Sequence, residues 1–207
     1  MNLFSHKAWH NLVTMLSSDP RPQLTEPFER LLDDLTQRLE ELQAIEAKRI
    51  LVVGLSARGS GAATVRSFQG NAKSVIINDD SRTWELGLRP VFFQTGDAAR
   101  RLTTLIHELL HLSATDPSGF RPEFRHATCS QHQLDEIAST LAERWLKISD
   151  VDLIQPLAHH GEGLLRHWLI RPSETHDHYA FTDADVFDAP ICMKTPPSKR
   201  SVWWNTI

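Results

Sequence analysis

The stretch that decides the fold is residues 97–113, which read DAARRLTTLIHELLHLS. Thr95 or Asp97 can cap a helix at this point. Behind the cap, apolar residues recur at the spacing of one helical face: Leu102, Leu105, Ile106, Leu109 and Leu110. His107 and His111 are four residues apart, so a helix places them one turn apart on the other face. The stretch therefore predicts a central helix with one buried face and one face that carries histidines.

The segments on both sides of this helix predict an α+β fold. A helix of about 20 residues is expected from Thr25, because apolar residues from Phe28 to Ile45 follow helical spacing. Short β-rich runs predict strands near residues 49–55, 74–78 and 90–94, and helical spacing returns near 131–148 and 160–170. We expect a small sheet packed on the central helix and on the helix that follows it. Residues 1–24 form a loosely ordered lead-in, and residues 25–207 form a single domain.

Composition excludes several classes of protein. The chain has 207 residues, of which 41% are hydrophobic and 23% charged, as in ordinary globular proteins. A net charge of −4 argues against a general nucleic-acid binder, and two cysteines without CxxC spacing do not form a disulfide framework. No apolar run approaches the ~20 residues that span a bilayer, and the N-terminus lacks the apolar region of a secretory signal. We expect no membrane partner. We also expect a cytoplasmic location, unless a secretion system recognises a different N-terminal signal.

The histidines of the central helix belong to an HExxH sequence, His107-Glu108-Leu109-Leu110-His111. Two imidazoles on one helical face can bind one Zn²⁺ through neutral ring nitrogens. Glu108 lies about 100° round the helix from His107, where it can take a proton from a water on the metal without being a ligand itself. The motif predicts a zinc hydrolase of zincin-like fold, with His107 and His111 as ligands and Glu108 as general base.

A catalytic zinc site needs a third protein ligand, and the sequence leaves its identity open. The metzincin spacing HExxHxxGxxH is absent, because position 114 is Ala and position 117 is Pro. Asp135 and Glu136 on the following helix are the main candidates, and helical phase relative to the Leu134–Ala138 core stripe favours Asp135. Three further candidates have less support: Asp116, His126 and His132.

These motifs resemble those of the clostridial neurotoxin light chains and of bacterial type III effector zinc proteases. The likeness rests on HELLH in the helix 97–113 and on residues 133–139, QLDEIAS, which stand where those families carry an acidic pair in the sequence EELRT. It covers mainly residues 50–145, and its specific part is about a dozen residues. The resemblance implies that Glu136 ligates zinc beside Asp135, and that the substrate is a specific host protein reached by secretion into a eukaryotic cell.

The resemblance also has departures. Ala138-Ser139 replaces the Arg-Thr of EELRT. The neurotoxin group uses an Arg-x-x-Tyr pair to stabilise the oxyanion. Tyr179 is the only tyrosine in this chain, and it can supply that phenol, with His176 or Arg171 in place of the arginine.

Two other functions fit the same residues. One is a non-enzymatic interaction module with a structural or vestigial metal site, which four protein ligands and no open position would favour. The other is a metal hydrolase that acts on a non-peptide bond, since the chemistry of the activated water is shared.

Overall fold

The computed structural model describes residues 24–55, 61–68, 74–77, 79–158, 164–166, 178–181 and 190–192, and these form a mixed α+β structure. The helices are α1 (Thr25–Arg38), α2 (Pro90–Gln94), α3 (Ala98–Leu110), α4 (Gln131–Ile148) and α5 (Gln155–Ala158). The strands are β1 (Ile50–Gly54), β2 (Ala63–Ser67), β3 (Ser74–Ile77), β4 (Asp80–Arg82), β5 (Trp84–Leu88), β6 (Leu164–Arg166), β7 (His178–Phe181) and β8 (Pro190–Cys192). The α+β class is therefore as predicted.

The strands form small sheets, and one of them lies beside α3. Its strand order is β1-β5-β2, with β1 parallel and β2 antiparallel to β5. Strands β1 and β5 are buried along their whole length, which suits the continuous apolar run of β1, while β5 also buries Glu85. Strand β2 is partly exposed after Ala63 and forms one edge of the sheet. A second sheet has the order β4-β3-β7, and β6 pairs with β8.

The two long central helices pack against each other and close the core. Helix α3 begins at its cap Asp97, whose side chain accepts a hydrogen bond from the Arg100 backbone N–H. Helix α4 begins with a capping box between Ser130 and Gln133, which satisfies two backbone N–H groups at its start. Both helices turn an apolar face inward, and α4 buries Leu134, Ala138, Leu141, Ala142 and Trp145. The sequence predicted both ranges closely because capping and helical spacing agree there.

Helix α1 is shorter than predicted. It starts at Thr25 with Leu24 before it, and it ends at Arg38 rather than near Ile45. A 3-10 turn at Glu40–Leu42 follows. Because this turn has about three residues per turn, side chains three positions apart stay on one side, and Leu42 and Ile45 still reach the core. The apolar pattern predicted the burial correctly, but it did not distinguish an α-helix from a tighter turn.

Two predicted elements are wrong. Residues Pro90–Gln94 form the short helix α2 with proline in its first turn, and the strand is the preceding segment, Trp84–Leu88. A short apolar run fits either state, and the fixed φ of Pro90 suits a helix start. The helix predicted near 160–170 is also wrong where the structure describes it, because Leu164–Arg166 is a strand paired with Pro190–Cys192.

Two further expectations concern the ends of the chain and the membrane. Residues 1–23 of the predicted lead-in lie outside the described residues. Among the described helices, none combines the length and the apolarity that crossing a bilayer would need.

Candidate metal centre

Helix α3 presents His107, Glu108 and His111 to a cleft while its other side is in the core. The rings of His107 and His111 are 5.1 Å apart between centroids. His107 is only 8% exposed, and His111 is half-buried. The local reason is the i, i+4 spacing, which stacks the two imidazoles one above the other on a regular helix.

A third histidine, His126, joins this pair from the loop between α3 and α4. Its ring centroid lies 6.0 Å from that of His107 and 5.0 Å from that of His111. One nitrogen from each of the three rings lies within 4.8 Å of the others. Among the described residues, this trio is the group whose ligand atoms converge closely enough to hold a metal ion.

The loop reaches His126 because it folds back along the end of α3. Ser113 N–H donates to the Gly119 carbonyl at 3.0 Å, and Arg121 N–H donates to the His111 carbonyl at 2.8 Å. Gly119 has a φ of +75°, and a Cβ there would lie 2.1 Å from the Ser67 hydroxyl oxygen. Glycine is therefore required at this position both for its left-handed backbone and for the close approach to β2.

Hydrogen bonds to backbone carbonyls then hold the returning chain in place. The Arg121 guanidinium donates to the Leu112 carbonyl at 2.9 Å and also to the Glu41 carbonyl. The Thr128 hydroxyl donates to the Pro122 carbonyl at 2.7 Å and closes the turn that carries His126. The position of His126 thus depends on contacts far apart in the chain.

Asp135 orients His107 rather than joining the group of nitrogens. Its Oδ1 lies 2.6 Å from His107 Nδ1. A carboxylate oxygen accepts, so Nδ1 carries the hydrogen and the lone pair is left on Nε2. A metal-binding histidine is commonly held by such a carboxylate, which fixes the tautomer and makes the free nitrogen more basic.

His111 is similarly prepared to bind as a neutral ring. Burial lowers the pKa of His111 to about 4, with additional lowering from His107 and His126, while a hydrogen bond to the Phe124 carbonyl opposes the shift. Its imidazole is thus unprotonated near neutral pH, which is the form that ligates metals.

Glu108 is largely buried beside the edge strand β2. Burial raises the pKa of Glu108 to about 7, while a hydrogen bond from the Val65 backbone N–H and the positive charge of Arg89 partly oppose the shift. A carboxyl group poised near neutrality can both take and return a proton at the operating pH. This is the environment expected of a general base or acid, rather than of a solvated surface carboxylate.

The other predicted site residues lie outside the three-histidine group or outside the described residues. Glu136 is outside the three-histidine group; its side chain is 68% exposed and lies 3.6 Å from His132. Asp116 is in the loop turn, where it accepts hydrogen bonds from Ser118. Tyr179 is on β7, opposite Val75 of β3, and its side chain lies outside the described residues. His176 and Arg171 also lie outside the described part.

The cleft in front of the histidines has two parts that share lining residues. The smaller part has a volume of about 660 Å³ and contains all three histidines, and the larger is about 1580 Å³. Residues common to both are Gly61, Ala63, His107, Glu108 and Gln131. His107 and Glu108 are therefore at the junction of the two parts, and His111 and His126 line the smaller part. Comparison with protein-family models, with curated proteins and with solved structures gave no significant match for this chain.

Proposed function

We propose that the protein is a zinc-dependent endopeptidase, with His107, His111 and His126 as metal ligands and Glu108 as general base. The observation that carries this proposal is the convergence of three imidazoles beside the Glu108 carboxyl group in an open cleft. In this proposal His126 takes the role that the sequence offered to Glu136 or Asp135. The arrangement of small sheet, HExxH helix and following helix supports a zincin-like fold.

The residues fit a zinc ion in number, chemistry and spacing. Ligand nitrogens ~2.1 Å from a tetrahedral ion stand roughly 3.4 Å apart. The three nitrogens already lie within 4.8 Å of one another, so small side-chain rotations would complete the site. Three imidazoles are typical ligands of catalytic zinc, and they leave one coordination position for water or substrate. Asp135 supports the fit because its contact with His107 Nδ1 leaves the lone pair of the ring on Nε2.

Glu108 and its surroundings support hydrolysis. When bound, zinc would supply Lewis acidity to a water molecule and to the carbonyl under attack. Glu108 would accept the proton of that water and return it to the leaving amine. The Val65 N–H holds the carboxylate in place beside the proposed metal ligands.

The edge of β2 supports a peptide as substrate. In the antiparallel pair with β5, Arg89 N–H donates to the Ala62 carbonyl and Phe68 N–H to the Thr83 carbonyl. These bonds mark the even-numbered residues as the ones that face β5, so the backbone groups of Ala63 and Val65, both of which line the cleft, point away from β5. The Val65 N–H on this side is bonded to Glu108, so the groups left for a substrate strand are the Ala63 N–H, the Ala63 carbonyl and the Val65 carbonyl. Within the described residues β2 pairs only with β5. Its outer edge can therefore bind an extended peptide by strand addition.

The biological setting of this activity rests on the resemblance to effector proteases. We propose on that basis that the substrate is a host protein and that the enzyme reaches it by secretion.

The test is metal content and peptide cleavage in wild type, Glu108→Gln, His126→Ala and Glu136→Ala. We expect about one zinc per chain in wild type, Glu108→Gln and Glu136→Ala, and loss of zinc in His126→Ala. Cleavage should disappear in Glu108→Gln although the metal remains. Loss of zinc in Glu136→Ala with retention in His126→Ala would overturn the ligand set.

A non-enzymatic module is the competing function. Tight zinc binding with no cleavage of any peptide, in wild type as in Glu108→Gln, would favour that reading and reject the peptidase.

A further inference from the structure

The cleft carries opposite charges on its two sides, and this polarity bears on substrate choice. The smaller part is lined by two arginines, Arg121 and Arg125, and we call it the basic lobe. The only carboxyl group of the described residues that lines it is the shared Glu108. We call the larger part the acidic lobe. It is lined by one arginine, Arg100, and by four further carboxylates: Asp97, Asp135, Glu136 and Glu143.

Arg125 is the side chain of the basic lobe that can reach a ligand. Arg121 already donates to the carbonyls of Leu112 and Glu41. Arg125 is exposed, and its guanidinium donates to the Ser118 hydroxyl at 3.0 Å, which leaves further N–H donors. The nearby Asp116 carboxylate accepts two hydrogen bonds from Ser118. Arg125 also directly precedes His126, so a carboxylate bound to it lies close to the reacting centre.

The direction of β2 relates these lobes to the two ends of a substrate. Strand β2 runs from Ala63, which lines both lobes, to Val65, which lines the basic lobe. Antiparallel pairing is the slightly more stable arrangement, and a peptide added in that way runs in the opposite direction. Its N-terminal half then lies beside Val65 in the basic lobe, and its C-terminal half enters the acidic lobe.

We propose that Arg125 is a specificity-determining residue, which selects peptides with an acidic side chain on the N-terminal side of the scissile bond. The proposal rests on the proposed peptidase function and names its substrate class. The acidic lobe strengthens the selection, since an acidic side chain placed on the C-terminal side meets like charges.

The experiment uses the zinc-loaded full chain and a fluorogenic peptide library to find a cleaved sequence. Three matched peptides are then compared: one neutral, one with Glu on the N-terminal side of the cleaved bond, and one with Glu on the C-terminal side. We expect kcat/KM to rise about three- to fivefold for N-terminal Glu, as a solvent-exposed ion pair allows, and to fall for C-terminal Glu. The gain should shrink at high salt because exposed charges are screened.

Arg125 variants assign the preference to this side chain. Arg125→Gln should remove the gain, Arg125→Glu should reverse it, and Arg125→Lys should keep most of it, with zinc content measured in each to verify the site. Arg30→Gln, an exposed arginine on α1 that lines neither lobe, is the charge-matched control and should keep the wild-type preference.

The contrary outcomes are distinct. Cleavage of all three peptides at equal rates, a preference for C-terminal Glu, or an undiminished preference in Arg125→Gln would overturn this inference and leave the peptidase intact. Failure to cleave any library peptide would remove the proposed function together with the inference.

Discussion

The environment of Glu108 predicts an unusual pH dependence of stability in the metal-free protein. Burial raises the pKa of Glu108 from 4.5 to about 7, so the folded state disfavours the carboxylate. The contribution of Glu108 to stability is complete at pH values below the pKa that this residue has in the unfolded chain. It is lost as the pH rises through the pKa of Glu108 in the folded protein. Glu108→Gln keeps the shape of the neutral acid and cannot ionise. The variant should therefore be more stable than wild type at high pH and similar at low pH.

The size of the effect follows from the shift in pKa. Each pKa unit corresponds to ~1.36 kcal/mol, so a shift from 4.5 to about 7 gives roughly 3 kcal/mol at about pH 8. At about pH 5 most of this difference is absent, and under ~1 kcal/mol should remain. For a chain of this length, roughly 3 kcal/mol corresponds to ~6–12 °C in Tm.

The assay is urea unfolding of wild type and Glu108→Gln, both kept free of metal by a chelator, across this pH range. Other titrating groups are common to the two proteins, so they cancel in the difference between them. A difference in unfolding free energy that stays constant from about pH 5 to about pH 8 would refute the reasoning, because it would show an ordinary Glu108 pKa.

Three further predictions concern Asp135, Gly119 and Tyr179. Asp135→Asn should weaken zinc affinity by about 10- to 100-fold, since the amide holds the His107 ring less well. Competition with a chromogenic chelator measures this affinity, and an unchanged value would contradict the orienting role of Asp135. Gly119→Ala should destabilise the protein by at least ~1 kcal/mol in urea unfolding, because Gly119 has a φ of +75° and Ser67 lies close to it. A variant as stable as wild type would argue against this loop geometry. Tyr179→Phe should lower kcat by about 10²-fold with zinc retained, if the phenol stabilises the oxyanion; an unchanged kcat would exclude that role.

Helix positions in the site were readable from the sequence because helix geometry is local. The HExxH spacing places His107, Glu108 and His111 relative to one another through hydrogen bonds within α3. The range of α4 was equally predictable, since its apolar spacing is regular. Of the adjacent pair Asp135 and Glu136, helical phase favoured Asp135, and Asp135 is the one that contacts α3.

His126 shows where such reasoning ends. It was a minor candidate in the sequence, because 14 residues separate it from His111 and no spacing motif links them. Two signals were available in retrospect: Gly119, whose positive φ permits the reversal, and Pro122, which starts the 3-10 turn before His126. Neither indicates by itself that the loop returns to α3.

The sequence by itself determined the α+β class, the two central helices and the placement of His107, Glu108 and His111 along one of them, since these follow from local hydrogen bonding and apolar spacing. Only the tertiary structure decided that His126 completes the histidine group, that Asp135 orients His107, and that Glu108 is buried against Val65. Each of these depends on the packing of a loop, a helix or a strand that is distant in sequence. No local pattern encodes such a meeting, because it is the sum of many contacts across the core.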